Sequence, residues 1–340
     1  MGAPDLLTDL LRDVSRTFYQ TLRILPAPVR RPIGLAYLLA RATDTIADTG
    51  IIAVADRLAA LERLRRRLLG HTQGALDLSA FRGAPGTGDA SDAEHALLAR
   101  INEALGLLDA VDPADRQLIR AVLATITSGQ VLDLERFGAA TAAAPVALET
   151  EEQMEDYTYR VAGCVGEFWT RICRARLFPT ARLDDGTLLA LGVRFGQGLQ
   201  LVNILRDLPK DLRAGRCYVP STRLAAHGLT LRDLLDPAAM PRFRMLYDDY
   251  LALADACLVD GWAYTNALPA GQMRVRLACA WPILIGVRTL ARLRTGNVLD
   301  ARERIKISRR DVKRIVLRSL WNYPWPRAWN RMFERARLAT

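Results

Sequence analysis

Apolar residues recur along this chain at intervals of three and four, the spacing of one face of an α-helix. Leu, Ala, Arg and Glu dominate, all good helix formers. β-branched alternating runs bounded by turns are scarce, so no sheet is expected. A first helix is predicted from about Leu6 into the region of Leu22. The stretch ILPAPVRRP ends it, because proline lacks a donor and drives its predecessor out of the helical region. A second helix is predicted from near Pro32 to Gly50, with proline in its first turn and glycine after its end. A third covers about Ala53 to Leu69. The segment from His71 to Glu94, rich in Gly, Ala, Ser and Asp, reads as a surface loop, because the helical pattern resumes with no shift in composition. Further helices are predicted at about 93–108, 113–137, 150–176, 185–213, 238–267, 271–295 and 308–320, with a shorter one at 325–337. No internal repeat is present. The pattern gives one large all-α domain over residues 1–300 and a helical tail, 301–340, packed on it or extending from it.

Composition limits the class. The 340 residues are 50% hydrophobic and 25% charged, too apolar for a disordered chain. Five cysteines form no CxxC pair and there are three histidines, which argues against a zinc site and more strongly against a disulfide scaffold. The thiols read as reduced and the setting as cytoplasmic. The longest nearly unbroken apolar run, Leu277 to Val287, is too short to span a bilayer, and the N-terminus has no secretory pattern. The net charge of +10 is uneven: residues 301–340 hold 12 basic and 3 acidic residues, leaving 35 and 34 in the first 300. That basic tail also carries Trp321, Trp325 and Trp329, a mixture suited to an anionic membrane surface, so peripheral association at the inner face of the membrane is expected. A solvated helix face is the plainer reading of the same residues. The near-neutral body offers no nucleic-acid module, so nucleic acid is not an expected partner.

Two segments depart from the apolar rule. Tyr37, Arg41, Asp44 and Asp48 follow at intervals of 4, 3 and 4, so they share one helix face. Gln200, Asn203, Asp207 and Asp211 follow at 3, 4 and 4, again one face, flanked by Arg206, with Leu199, Val202 and Leu208 opposite. A single Asp-x3-Asp pair is ordinarily a solvated face. Two pairs, each accompanied by Arg, Tyr, Gln or Asn, point to oxygen ligands for a hard cation. Mg²⁺ is usually held by one or two carboxylates together with waters and substrate phosphates. Two such pairs facing each other across a helical bundle can hold several Mg²⁺ ions and stabilise a diphosphate as a leaving group. Arg41, Arg206 and Arg216 supply positive charge for the departing diphosphate. Pro209, between the second pair's acids, leaves the Leu205 carbonyl without its helical partner and is expected to bend the helix.

The segments SRTF (Ser15 to Phe18), YLLARATDTIAD (Tyr37 to Asp48), YTYRVAGCVG (Tyr157 to Gly166) and QLVNILRDLPKDLRAGRCYVP (Gln200 to Pro220) resemble the squalene/phytoene synthase family, in its order and at about its spacing. The resemblance implies a single-domain all-α isoprenoid synthase bundle with a central apolar cavity. It implies head-to-head (1′-1) condensation of two prenyl diphosphates by a monomer. By motif it implies that Asp44, Asp48, Asp207 and Asp211 bind Mg²⁺ and through it the diphosphates. Arg41, Gln200, Asn203, Arg206 and Tyr218 would line the diphosphate end, and Ser15, Thr17 and Tyr37 would contact diphosphate. Tyr157 would lie beside the reacting carbons. YLLARATDTIAD resembles the squalene synthase form more than the phytoene synthase form. The expected activity is therefore condensation of two farnesyl diphosphates via presqualene diphosphate, then NADPH-dependent reduction to squalene. The segment Ile305 to Ser308 sits where squalene synthases carry a basic stretch linked to NADPH. Lys306 fits that pattern, with Asn203 as a second cofactor-side residue, while Ser308 stands where an arginine is expected. The alternatives are a phytoene or dehydrosqualene synthase, which omits the reduction, and a non-catalytic assembly-factor relative, which would be expected to lose the metal carboxylates.

Overall fold

The computed structural model describes residues 5–15, 18–81, 91–300, 302 and 305–338. Among these residues the chain is all-α apart from one two-residue parallel ladder. It forms two compact units, Met1–Gly138 with Phe168–Thr180, and Ala139–Glu167 with Ala181–Thr340.

In the first unit Asp5 caps a π-turn over Leu6–Leu10 by accepting from the Leu7 N–H at 2.9 Å. Helices α1 (Leu11–Ser15), α2 (Tyr19–Ile24), α3 (Ala27–Asp48), α4 (Val54–Leu68), α5 (Asp92–Ala99), α6 (Ile101–Asp109) and α7 (Pro113–Phe137) follow. α3 packs against α4, α5, α6 and α7, and its Leu35, Leu38, Leu39, Ala42 and Ile46 are fully buried. Two sequence expectations change here. The first predicted helix opens as a π-turn ahead of α1, and the second starts at Ala27 rather than Pro32. Leu25 and Pro26 are extended, each with ψ of 146°, which places Pro28 in the first turn, where a missing N–H costs nothing. Pro32 then lies inside the helix. The predicted helix at 93–108 is interrupted at Arg100.

Beyond Gly138 the order is β1 (Val146–Ala147), α8 (Glu151–Thr158), a π-turn (Tyr159–Gly163), α9 (Cys164–Leu177), α10 (Asp185–Arg213), β2 (Arg216–Cys217), α11 (Ser221–Ala226), α12 (Met240–Ala267), α13 (Met273–Thr295), α14 (Arg309–Asn322) and α15 (Pro326–Leu338), all in the second unit except α9 from Phe168 on. β1 pairs with β2, Val146 opposite Arg216 and Ala147 opposite Cys217, where no sheet was expected. Two residues are too few to show alternation in a sequence. The predicted helix at 150–176 is interrupted by the π-turn.

α10 packs against α12, α13 and the π-turn. Two glycines permit the closest approach: a Cβ on Gly166 would sit 1.9 Å from the Gly192 carbonyl oxygen, and one on Gly196 would sit 2.1 Å from that of Ala162. Among the described residues α10 alone is long and apolar enough to cross a membrane, but 56% of its most apolar stretch is buried inside the protein, as in a core helix. All five cysteines are buried thiols.

The tail helices pack on α13. The Trp281 indole donates to Ser319 Oγ at 2.9 Å, fixing α14. From α15, Trp329 and Phe333 stack on Trp262 at 4.8 and 4.6 Å between ring centroids. The three tail tryptophans therefore do not act together, as the sequence reading took them to. Trp329 is a core residue, 2% exposed, whereas Trp321 and Trp325 are 80% and 65% exposed. Trp329→Ala is expected to cost about 3–5 kcal/mol in urea unfolding. Trp321→Ala should stay within about 0.5 kcal/mol. Gly196→Ala should cost about 1–3 kcal/mol by forcing α10 from the π-turn.

Candidate active site

The candidate residues fall into two groups, one in each unit. In the first, burial of the apolar face of α3 leaves Tyr37, Arg41, Asp44 and Asp48 along the other face. The Tyr37 ring stacks on Phe18, centroids 5.2 Å apart. Arg41 donates from Nη1 to Asp44 and from Nη2 to Glu94 of α5, while its Nε is buried without a hydrogen-bond partner. Glu94 is 3% exposed and accepts from the Ser91 N–H at 2.6 Å, in the capping box that opens α5. Burial alone would raise the Glu94 carboxyl, but the Ser91 N–H and the Arg41 guanidinium outweigh it and hold it below the usual range.

Asp44 behaves in the opposite way. Removal from water and the charge of Asp48, one turn on, outweigh Arg41 and push its carboxyl up to about 6. The side chain still exposes 41% of its surface, so a cation can reach it. Asp48 is exposed and makes no ion pair among the described residues. A cation bound between the two acids would relieve this repulsion. No cluster of three or more His, Cys, Asp or Glu is present among the described residues. A cation here would thus take its other ligands from water and phosphate oxygens, which is the habit of Mg²⁺.

In the second unit α10 buries Leu201, Val202, Leu205, Leu208 and Leu212 and turns Gln200, Asn203, Arg206, Asp207 and Asp211 away from that face. Arg206 grips Asp207 with two bonds, Nε to Oδ1 at 2.8 Å and Nη2 to Oδ2 at 2.5 Å. Asn203 donates to Gln200 at 3.5 Å, the limit of a hydrogen bond. The chain turns after α10 and returns as β2, which brings Arg216 Nη2 to 3.4 Å from Asp211 Oδ1. One residue past β2, the buried Tyr218 ring stacks on Tyr157, centroids 4.5 Å apart. The small ladder that the sequence did not announce thus carries Arg216, and the residue that follows it is Tyr218.

Other predicted residues sit differently. The Ser15 hydroxyl is buried and donates to the Leu11 carbonyl at 2.5 Å, so it is engaged within its own helix. Thr17 lies outside the described residues. Lys306 is exposed, and its carbonyl accepts from Arg292. Ser308 caps α14 by accepting from the Asp311 N–H at 3.1 Å. Sequence reasoning missed Glu94, although Ser91 and Glu94 spell a capping box and hence a helix start. It also missed an open cavity of about 590 Å³ lined by Glu152, Asp156, Tyr159, Arg194 and Gln197, beside the π-turn.

The sequence profile of the squalene/phytoene synthase family matches residues 11–311, and the chain belongs to that family. Members of the family condense prenyl diphosphates head to head. The chain is 35% identical over 143 residues to the phytoene synthase of Thermus thermophilus, covering 42% of this chain and 46% of that one. It is 29% identical over 252 residues to the 15-cis-phytoene synthase of Synechocystis, covering 72% and 63%. It is 31% identical over 218 residues to the presqualene diphosphate synthase of Rhodopseudomonas palustris, covering 64% and 62%. The chain thus spans less than two thirds of these curated relatives. Among solved structures, the complex of TcSQS with BPH1237 superposes with a TM-score of 0.78 at 21% identity, covering 97% of this chain and 89% of that one. The squalene synthase HpnC of Alicyclobacillus acidocaldarius gives 0.60 at 21% identity, covering 86% and 93%. These likenesses establish the all-α fold.

The Asp44 carboxyl yields a pH test. Its folded-state pKa of about 6 lies above the ordinary 3.8, so the folded chain holds this proton more tightly than the unfolded one. Stability is therefore lost as the pH rises through this window. Asp44→Asn should raise the melting stability of the metal-free protein at pH 8 by about 1 kcal/mol, after allowance for solvent screening, and bring no gain near pH 3.5. Thermal melts with chelator at the two pH values check this.

Proposed function

We propose that this chain is a Mg²⁺-dependent prenyltransferase that joins two farnesyl diphosphates head to head through presqualene diphosphate and reduces the product to squalene with NADPH. The observation that carries the proposal is the paired acid–arginine stripes: Asp44 and Asp48 with Arg41 on α3, and Asp207 and Asp211 with Arg206 and Arg216 on and after α10. All four carboxylates of the family motif are present, which argues against a non-catalytic relative.

In this reading the four aspartates hold Mg²⁺, which when bound neutralises diphosphate oxygens and makes the group easier to expel. Arg41, Arg206 and Arg216 would exchange part of their carboxylate pairing for diphosphate oxygens. The buried Glu94, fixed by Ser91, would keep the Arg41 guanidinium in place while its other arm changes partner. Loss of diphosphate from one substrate leaves an allylic cation. The C2–C3 double bond of the second substrate attacks it, and loss of a proton closes the cyclopropane of presqualene diphosphate. Tyr157, held against Tyr218, would offer its ring face to the cation or its hydroxyl to the moving proton.

A second reading omits the reduction and ends at presqualene diphosphate or at phytoene. It is favoured by Ser308, which caps a helix where the resemblance calls for an arginine, and by the names of the curated relatives. Purified protein with farnesyl diphosphate and Mg²⁺ should give squalene only when NADPH is added, and presqualene diphosphate without it. A product unchanged by NADPH would favour the second reading. Asp207→Asn should lower turnover at least about a hundredfold, the equivalent of a few kcal/mol. Tyr157→Phe should lower kcat about a hundredfold with KM little changed. Full activity of Asp207→Asn would overturn the assignment of the stripes.

A further inference from the structure

α14 and α15 take no part in the proposed site. Their inner faces are fully accounted for. Ile315 and Ser319 of α14 are buried, and Trp281 is bonded to Ser319. Trp329, Phe333 and Ala336 of α15 are buried, with Trp329 donating to Asn266 at 2.9 Å. The outer face of α14 is different in kind. Arg310, Lys313, Leu317 and Trp321 follow at intervals of 3, 4 and 4, so they form one exposed stripe. Leu317 is 68% exposed, and Trp321 is the most exposed large apolar side chain among the described residues. Trp325, in the turn to α15, extends the apolar edge, and Leu320 lies beside it, 41% exposed.

Charge surrounds this edge on one sign only. Arg309, Arg314, Arg318, Arg327 and Arg331 are also exposed. Between Arg309 and Leu338 the only acids are Asp311 and Glu334. Asp311 is already shared among Arg288, Arg292 and Arg314, and Glu334 is paired with Arg337. Neither is spare to neutralise the outer rim. Exposed tryptophan and leucine flanked by uncompensated arginine and lysine match the two layers of an anionic bilayer surface. The apolar edge suits the headgroup–acyl boundary, and the cations suit the phosphates.

We propose that the outer face of α14 and the α14–α15 turn dock the protein on an anionic lipid bilayer, with Leu317, Trp321 and Trp325 inserted and Arg310, Lys313 and Arg318 on the headgroups. The proposal does not depend on the reaction assigned above. It concerns α14 and its turn alone, because α15 spends its tryptophan on the core.

Flotation of the full chain with vesicles tests it. Vesicles of phosphatidylcholine containing phosphatidylglycerol should carry the protein up, and vesicles of phosphatidylcholine alone should not. Trp321→Ser with Trp325→Ser should lower the partition coefficient at least about tenfold, with unchanged melting temperature, since neither indole is packed. Arg310→Gln with Lys313→Gln and Arg318→Gln should also lower it at least about tenfold and flatten its dependence on salt. The proposal is overturned if the wild type ignores anionic vesicles, if it floats equally on neutral ones, or if either variant floats as well as the wild type. A lipid-free, concentration-dependent dimer that disappears in the tryptophan variant would overturn it in favour of a second copy as occupant.

Discussion

A helix that must bury one face has to display the other, and this constraint generates the candidate site. α3 fixes its rotation by burying Leu35, Leu38, Leu39, Ala42 and Ile46. Tyr37, Arg41, Asp44 and Asp48 then have no alternative but the opposite side. α10 repeats the device with Leu201, Val202, Leu205, Leu208 and Leu212 behind Asp207 and Asp211. In each case aliphatic packing far from any chemistry aims the carboxylates, and the rigidity of the core becomes the rigidity of the site.

The polar stripes are held by asymmetric pairing rather than by neutralisation. Arg41 is divided between Asp44 and the buried Glu94, so Asp44 receives only part of its charge and Asp48 receives none by contact. The result is a carboxyl pushed well above its ordinary range in a protein that could have been more stable with an amide there. This repulsion supports the proposal that Asp44 and Asp48 hold a cation. Around Asp207 and Asp211 the balance is different, with Arg206 and Arg216 each closing on one acid. In the proposed function the arginines and acids of this stripe would trade partners with an anion.

The tail shows how one composition can serve two ends. Trp329 and Phe333 complete the packing around Trp262, whereas Trp321 and Trp325 meet solvent among arginines. Helix phase decides between them. Trp329, Phe333 and Ala336 fall at intervals of four and three on the buried face of α15, where the two rings meet Trp262 of α12, and Trp321 lies two residues from the buried Ser319 on α14, about half a turn away.

The sequence by itself determined the all-α class, the bounds of the long helices such as α7 and α10, and the two aspartate stripes. All of these depend on a period of 3.6 residues sustained over several turns, which a sequence records directly. It also carried the four motifs whose family the profile match bears out. Only the tertiary structure decided the start of α3 at Ala27, the π-turn after α8 and the β1–β2 ladder that brings Arg216 to Asp211 and sets Tyr218 against Tyr157. It likewise decided the partnership of Arg41 with Glu94, 53 residues away, and the division of the tail tryptophans between core and surface. These features rest on contacts between distant segments or on one or two residues of irregular backbone. Neither leaves a periodic trace in the order of the amino acids.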